Sequence, residues 1–124
     1  MNGHTGRLLL VTREAGAHAR IARSLARRGH VIVCVRDGDV ALALLERERF
    51  DIVLLDVVRS AWSGDRVLER LRRLARRPSV IAMTDAGDRE ALARCREHGA
   101  RAVLQRPLDS LSLWEAVEMS LKTT

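Results

Sequence analysis

The stretch DIVLLDVVRS, residues 51–60, decides the fold of this chain. Four consecutive aliphatic residues lie between two aspartates, and the second, Asp56, comes where the chain turns polar. Aliphatic runs of this kind are typical of parallel strands that are covered on both faces. An unpaired buried charge is costly, so a carboxylate in this place needs solvent or a partner. We therefore predict that Asp56 ends a buried strand and either meets solvent or is held by a partner group.

Four further aliphatic runs surround this one, and segments with apolar residues at helical spacing separate them. The runs are RLLLV (7–11), VIVCV (31–35), SVIAMT (79–84) and RAVLQ (101–105). The predicted helices cover 17–28, 39–47, 64–76, 88–98 and 109–121. Gly29 and Gly99 stand where helix ends favour a left-handed residue, and Pro78 stops the third helix. This rhythm predicts a (βα)5 chain with a parallel five-stranded sheet between two helical layers.

Parallel α/β sheets form their sites beyond the carboxyl ends of the strands. Four strand ends of this chain carry polar residues: VTRE (11–14), Asp56, MTD (83–85) and QRP (105–107). These groups are distant in sequence but belong to the same edge of the predicted sheet. We expect them to line one shallow pocket.

These residues make the chain resemble the receiver domain of two-component response regulators, the CheY-like family, over about residues 7–121. Asp56 matches the phosphoacceptor, Thr84 the hydroxyl switch position and Arg106, before Pro107, the Lys-Pro position. The resemblance implies a flavodoxin-like sheet with strand order 2-1-3-4-5. We expect one receiver-like domain over 1–124.

The chain departs from the family pattern at several pocket positions. Receivers carry two acidic residues after the first strand, which hold Mg²⁺ together with the acceptor aspartate; here Thr12 and Arg13 stand there, followed by Glu14. Arg106 replaces the family's lysine, and Val103 replaces its aromatic switch residue. Ser60 replaces the proline that the family has four residues after the acceptor. The resemblance therefore implies a pocket whose metal site is damaged.

Charge arithmetic supports this interpretation. The family's three carboxylates and one lysine amount to −2, whereas Asp56, Arg13 and Arg106 amount to +1, or to 0 if Glu14 turns inward. Mg²⁺ prefers oxygen ligands that include one or two carboxylates. We expect no metal here, and we predict that Arg13 pairs with Asp56 in the space that Mg²⁺ takes in an ordinary receiver.

Three functions follow as hypotheses. The first is an atypical receiver that does not depend on phosphorylation and binds a protein partner, either a histidine kinase or an output protein. The second is a conventional receiver that a histidine kinase phosphorylates on Asp56, with Mg²⁺ as cofactor. The third is a basic nucleic-acid-binding module. The first two are signalling modules, so we predict no catalytic residue and no enzyme.

Composition bounds these hypotheses. The 124 residues include 22 Lys plus Arg and 16 Asp plus Glu, a net charge of +6, and all but one of the basic residues are arginine. Nucleic acid is disfavoured because the arginines are spread over several helices and only 2% of the residues are aromatic. No apolar run reaches membrane-spanning length and no secretory signal is recognisable, so we expect a cytoplasmic protein without membrane contact.

The last predicted helix carries two apolar stripes. Leu113 and Val117 can face the sheet, while Leu111, Trp114 and Leu121 form a second stripe. In receivers the surface of the fourth helix, fifth strand and fifth helix is the dimer and output face, so the resemblance implies partner docking or a homodimer there. The alternative is that the second stripe packs against the fourth helix.

Three other residues leave more than one interpretation open. Thr84 can bond a phosphoryl oxygen or simply end a strand. Asp85 can cap the fourth helix or pair with Arg106. Trp62 can guard the pocket, contact a partner or pack within its loop.

Overall fold

The computed structural model describes residues 5–57 and 64–122, in which five strands alternate with five helices. The strands are β1 (Arg7–Val11), β2 (Val31–Val35), β3 (Ile52–Asp56), β4 (Ser79–Asp85) and β5 (Ala102–Arg106). The helices are α1 (Ala15–Ala26), α2 (Gly38–Arg47), α3 (Gly64–Arg72), α4 (Arg89–Glu97) and α5 (Ser110–Lys122). The predicted alternation of strands and helices is confirmed.

All strands are parallel and lie in the order β2-β1-β3-β4-β5, which confirms the flavodoxin-like topology. The central strand β3 is buried along its whole length. Its register pairs Leu8 with Ile52 on one side and Asp56 with Met83 on the other. The polar ends of β1, β3, β4 and β5 therefore meet at one edge.

Two apolar clusters cover the faces of the sheet. One joins the sheet to α1 and α5 and includes Ile21, Leu25, Leu113 and Val117. The other joins it to α2, α3 and α4. Since each aliphatic strand contributes to both clusters, the strands read as continuous rather than alternating apolar runs.

Helix ends follow local backbone chemistry. Gly29 and Gly99 have φ of +91°, and the amide after each glycine bonds a carbonyl five residues earlier, as in a Schellman motif. Helix α3 ends at Arg72, four residues before the predicted end. Leu74 then donates its amide to Leu71 three residues back, and its side chain packs on the core. None of the helices described is both long and apolar enough to cross a membrane.

Candidate functional site

Asp56 ends β3 with 4% of its surface exposed, and both of its carboxylate oxygens have partners. The Thr12 hydroxyl donates to Oδ2 over 2.6 Å. The Arg106 guanidinium donates through Nη1 to Oδ1 and forms an ion pair there. A charged acceptor and a charged donor form hydrogen bonds roughly twice as strong as neutral ones. Asp56 is therefore held through both of its oxygens at a buried strand end.

Arg106 reaches Asp56 across a whole strand. It ends β5, and β4 lies between β5 and β3. Asp85 is in register with Arg106 and accepts a hydrogen bond from its Nε at 2.9 Å. This bond supports the Arg106 side chain where it crosses β4. Of the two roles predicted for Asp85, the pairing with Arg106 is the observed one, while Asp88 caps α4 by accepting from the Ala91 amide at 3.1 Å.

Electrostatics strengthen this arrangement. The Arg106 side chain is 25% exposed, and partial burial by itself lowers its pKa. The hydrogen bonds and negative charges of Asp85 and Asp56 outweigh burial, so the pKa of Arg106 lies above its ordinary value. Arg106 is thus a permanent cation between two carboxylates. The peptide bond that follows it, Arg106–Pro107, is cis.

The predicted pairing of Arg13 with Asp56 is wrong. The Arg13 side chain is exposed and forms no ion pair with any residue in 5–57 or 64–122. Thr12 is buried and directed at Asp56, whereas the chain bends at Arg13 and leaves that side chain exposed. Glu14 is exposed too, and only its backbone amide approaches the site, donating to the Thr12 hydroxyl over 3.2 Å.

Thr84 lies at the same edge, one residue before the end of β4. It is 1% exposed, and its hydroxyl oxygen has no hydrogen-bond partner within the described part of the chain. Most buried hydroxyls in proteins are paired, so this one is unusual. Its position is compatible with the predicted switch role but does not distinguish that role from strand packing. Ser60 and Trp62 lie outside the described residues.

The residues at this edge do not fit Mg²⁺. Near-octahedral coordination needs several free oxygen ligands. Asp56 is the carboxylate that β3 places in the pocket. Both of its oxygens already accept hydrogen bonds, and the donor to one of them is the Arg106 guanidinium. Within residues 5–57 and 64–122 no group of three His, Cys, Asp or Glu side chains could hold a metal ion.

The predicted partner stripe on α5 does not form a single surface. Leu111 is 61% exposed. Trp114 is half-buried against α1, where its indole Nε1 donates to the Ser24 hydroxyl over 3.0 Å and its ring lies 4.8 Å from the Arg28 guanidinium carbon. Leu121 packs in the core cluster shared with α1. The alternative, packing on α4, is wrong because α4 lies across the sheet, whereas partner docking through these residues stays a prediction.

Comparison with known proteins gives this edge its context. The family model of the response regulator receiver domain matches residues 8–118. The chain is 32% identical over 118 residues to the transcriptional activator protein IrlR of Burkholderia pseudomallei, a match that covers 94% of this chain and 50% of IrlR. The chain thus spans about half of this curated relative, and 28% of GlrR of Escherichia coli. It belongs to the receiver domains of two-component response regulators, which are signalling modules that interact with histidine kinases and output domains.

Solved structures agree on the fold. The chemotaxis response regulator CheY4 of Vibrio cholerae superimposes with a TM-score of 0.85 at 20% identity, covering 95% of this chain and 100% of CheY4. NtrX of Brucella abortus gives 0.89 at 22% identity, covering 97% of this chain and 28% of NtrX. The fold is therefore that of CheY-like proteins.

Proposed function

We propose that this receiver domain acts without phosphorylation of Asp56, by binding a protein partner. One observation carries the proposal: Arg106 bonds Asp56 and Asp85 together, while Thr12 donates to the second oxygen of Asp56. Both oxygens at the acceptor position are therefore engaged. An in-line attack on a phosphodonor uses a carboxylate oxygen as the nucleophile. Each Asp56 oxygen keeps a second lone pair, but the bonds from Thr12 and Arg106 lower its nucleophilicity and restrict the approach of a phosphodonor.

The charge of the pocket opposes the same reaction. Phosphoryl transfer depends on cations that neutralise the equatorial oxygens of the transferring group. Arg106 supplies one positive charge, but that charge is already shared between two carboxylates. The residues that would bring a dication are replaced by Thr12 and by the exposed Arg13. The pocket offers little additional neutralisation to an incoming phosphoryl group.

A conventional receiver, phosphorylated on Asp56 by a histidine kinase, is the second candidate, and Thr84 is the observation in its favour. The buried hydroxyl of Thr84 has no acceptor within the described residues. A phosphoryl oxygen on Asp56 would give it one. The third candidate, a nucleic-acid module, has only the net charge of +6 in its favour.

For the partner we propose the surface formed by α4, β5 and the start of α5. A groove of about 230 Å³ lies there, and its half-buried apolar residues are Leu92, Val103, Leu104 and Leu108. Apolar side chains in a concave surface with polar surroundings are typical of partner sites. The same surface would serve a homodimer. A cytoplasmic location stays a prediction of the sequence.

Intact-mass spectrometry with acetyl phosphate and Mg²⁺ tests the proposal. We expect no gain of about 80 Da, the mass of one phosphoryl group, under conditions that label a receiver with the family's acidic pair, which serves as the positive control. Mg²⁺-dependent labelling of the wild-type chain that disappears in Asp56→Asn would contradict the proposal and establish the conventional receiver.

A gain-of-function variant sharpens the result. Thr12→Asp, Arg13→Asp and Arg106→Lys together restore the family's acidic pair and remove the planar fork that holds Asp85 and Asp56. We expect this triple variant to be labelled by acetyl phosphate only when Mg²⁺ is present. Asp56→Asn added to the triple variant is the matched control and should abolish labelling.

A further inference from the structure

A cavity extends from the Asp56–Arg106 pair along the space between α1 and the start of α5. Its volume is about 580 Å³. This is within the range of small-molecule sites in proteins, roughly 300 to 1,000 Å³. The proposed function uses only the Asp56–Arg106 end of this cavity. The cavity combines two kinds of lining, an apolar floor and a cationic rim.

The rim is cationic because α1 carries no acidic residue. Arg20, Arg23 and Arg27 are exposed, line the cavity and have no ion pair with any residue in the described ranges. The fourth arginine of this segment, Arg28, bonds Glu118 at 2.7 Å instead. Like charges three and four residues apart on a helix destabilise it. The three arginines along this cavity therefore repel one another and lower the stability of the helix.

The acidic side chains of the cavity do little to neutralise this row. Asp109 accepts from the amide of Ser112 at 2.8 Å and from its hydroxyl at 3.1 Å, at the first turn of α5. Asp56 is paired with Arg106. Glu14 is exposed at the edge of the cavity. With Arg106 included, the lining carries four arginines and three carboxylates.

The floor is apolar and belongs to the core. Ile21 of α1 and Leu113 of α5 are 7% and 2% exposed, and both line the cavity. The half-buried Leu108 adds apolar surface on the α5 side. An occupant that matches both parts of the lining needs an apolar body and an anionic head.

Two pairs of lining residues are bonded to each other across the cavity, which favours a compact occupant. The hydroxyls of Ser24 and Ser110 lie 3.2 Å apart and connect α1 to α5 across the lining. The Asp56–Arg106 ion pair, at the phosphoacceptor position itself, also lines the cavity. A helix about 10 Å wide would need a groove open at both ends. We propose that this cavity binds a small amphipathic anion, with its carboxylate, sulfonate or phosphate head on Arg20 and Arg23.

Two fluorescent probes that differ only in the head group test the site. The first is 8-anilinonaphthalene-1-sulfonate, and the second is N-phenyl-1-naphthylamine, which has the same rings and no sulfonate. We expect the sulfonate to bind the folded wild-type chain with one saturable site, and the neutral analogue to bind at least about tenfold more weakly. Amide chemical shifts should change at Ser24, Leu108 and Ser110.

Matched variants locate the anion. Arg20→Gln with Arg23→Gln should weaken sulfonate binding about tenfold or more while the neutral analogue is unaffected. The control is Arg36→Gln with Arg89→Gln, two exposed arginines outside the cavity, which lowers the net charge equally and should leave binding unchanged.

Several results would overturn the proposal. Equal affinity for the two probes would show that the arginines recognise no anion. Equal weakening by the two double variants would reduce the effect to net charge. Shift changes at Phe50 and Leu74, between α2 and α3, would place the probe elsewhere. An absence of saturable sulfonate binding, with binding of an acidic amphipathic peptide instead, would make the groove a protein-docking surface.

Discussion

Buried polar side chains at the two edges of the sheet differ in how completely they are hydrogen-bonded. At the carboxyl edge Asp56 has Thr12 on one oxygen and Arg106 on the other. At the opposite edge His30 is 5% exposed; its Nδ1 accepts from the Gly6 amide at 3.2 Å, but its Nε2 has no hydrogen-bond partner within residues 5–57 and 64–122. A buried ion must be paired, whereas a neutral ring can leave one group unpaired at lower cost. The burial of Asp56 therefore depends on the positive charge of Arg106, whereas the burial of His30 depends on the neutral state of its ring.

Removing Arg106 should have the largest effect. Arg106→Met leaves Asp56 buried without its cation, and breaking a buried ion pair from one side costs about 3 kcal/mol. Urea denaturation measures the loss of unfolding free energy. Arg89→Met, at an exposed position, is the control and should change stability by less than about 0.5 kcal/mol.

A double variant distinguishes the lost pair from lost packing. Arg106→Met with Asp56→Leu should recover much of the stability, because an apolar pair replaces an ion pair without leaving a buried charge. If the two substitutions are simply additive in their effects, Asp56 and Arg106 are not coupled and the account of the carboxyl edge is wrong.

An intermediate effect is expected from Trp114, which packs on α1 and contacts Ser24 and Arg28. Trp114→Ala removes its contacts with Arg28 and Ser24, and a half-buried tryptophan should contribute about 2 kcal/mol. Leu111→Ala, on the same helix but exposed, should cost less than about 0.5 kcal/mol. Urea denaturation gives the stabilities and sedimentation velocity the state of association.

The opposite outcome has a clear meaning. If Trp114→Ala keeps the wild-type stability but dissociates an oligomer, then Trp114 belongs to a docking surface as its sequence position first indicated. Weakened stability with unchanged association is the result that the contacts with α1 predict.

The smallest effect concerns His30 and acid. Burial lowers the pKa of His30 below its ordinary value; Glu118 raises it and Arg28 lowers it further. The unfolded chain therefore binds a proton at higher pH than the folded chain, so the stability that neutral His30 contributes is present above about pH 6.5 and is lost as the pH falls below it. Midpoints of urea denaturation at pH 7.5 and pH 5.5 should differ less in His30→Gln than in the wild type.

The matched control is His18→Gln, which removes a half-buried histidine of α1 and leaves His30 in place. If His30→Gln retains the full loss of stability on acidification, the burial of neutral His30 is not its cause.

Much of the fold and part of the site follow from sequence. Continuous aliphatic runs indicate strands that are buried on both faces. The alternation of strands and helices, with glycines at helix ends, predicted a (βα)5 chain with a parallel sheet. Asp56 was placed correctly because a charge directly after four aliphatic residues marks a strand end. The early end of α3 could not be predicted. Beyond the helix end, the Leu74 amide bonds the Leu71 carbonyl three residues back and the Leu74 side chain still packs on the core, so the apolar spacing continues as in a helix.

The partner of Asp56 shows why the rest of the site could not be predicted. Arg13 follows the neighbouring strand β1, and Arg106 lies two strands away, so strand adjacency favoured Arg13. Two local facts reverse this choice: Thr12 takes the inward direction, and Asp85 supports the long side chain of Arg106 as it crosses β4. Neither fact is visible in the spacing of residues.

By itself, the sequence determined the parallel sheet, the edge at which polar strand ends meet, and the replacement of the family's acidic pair, because these depend on residue type and periodicity. Only the tertiary structure decided which arginine holds Asp56, and that Trp114 of α5 packs on α1. Such choices depend on side-chain direction and on distances of a few ångströms between elements remote in sequence. Hydrogen bonds and ion pairs are sensitive to those distances, whereas apolar burial is roughly proportional to area and largely indifferent to direction.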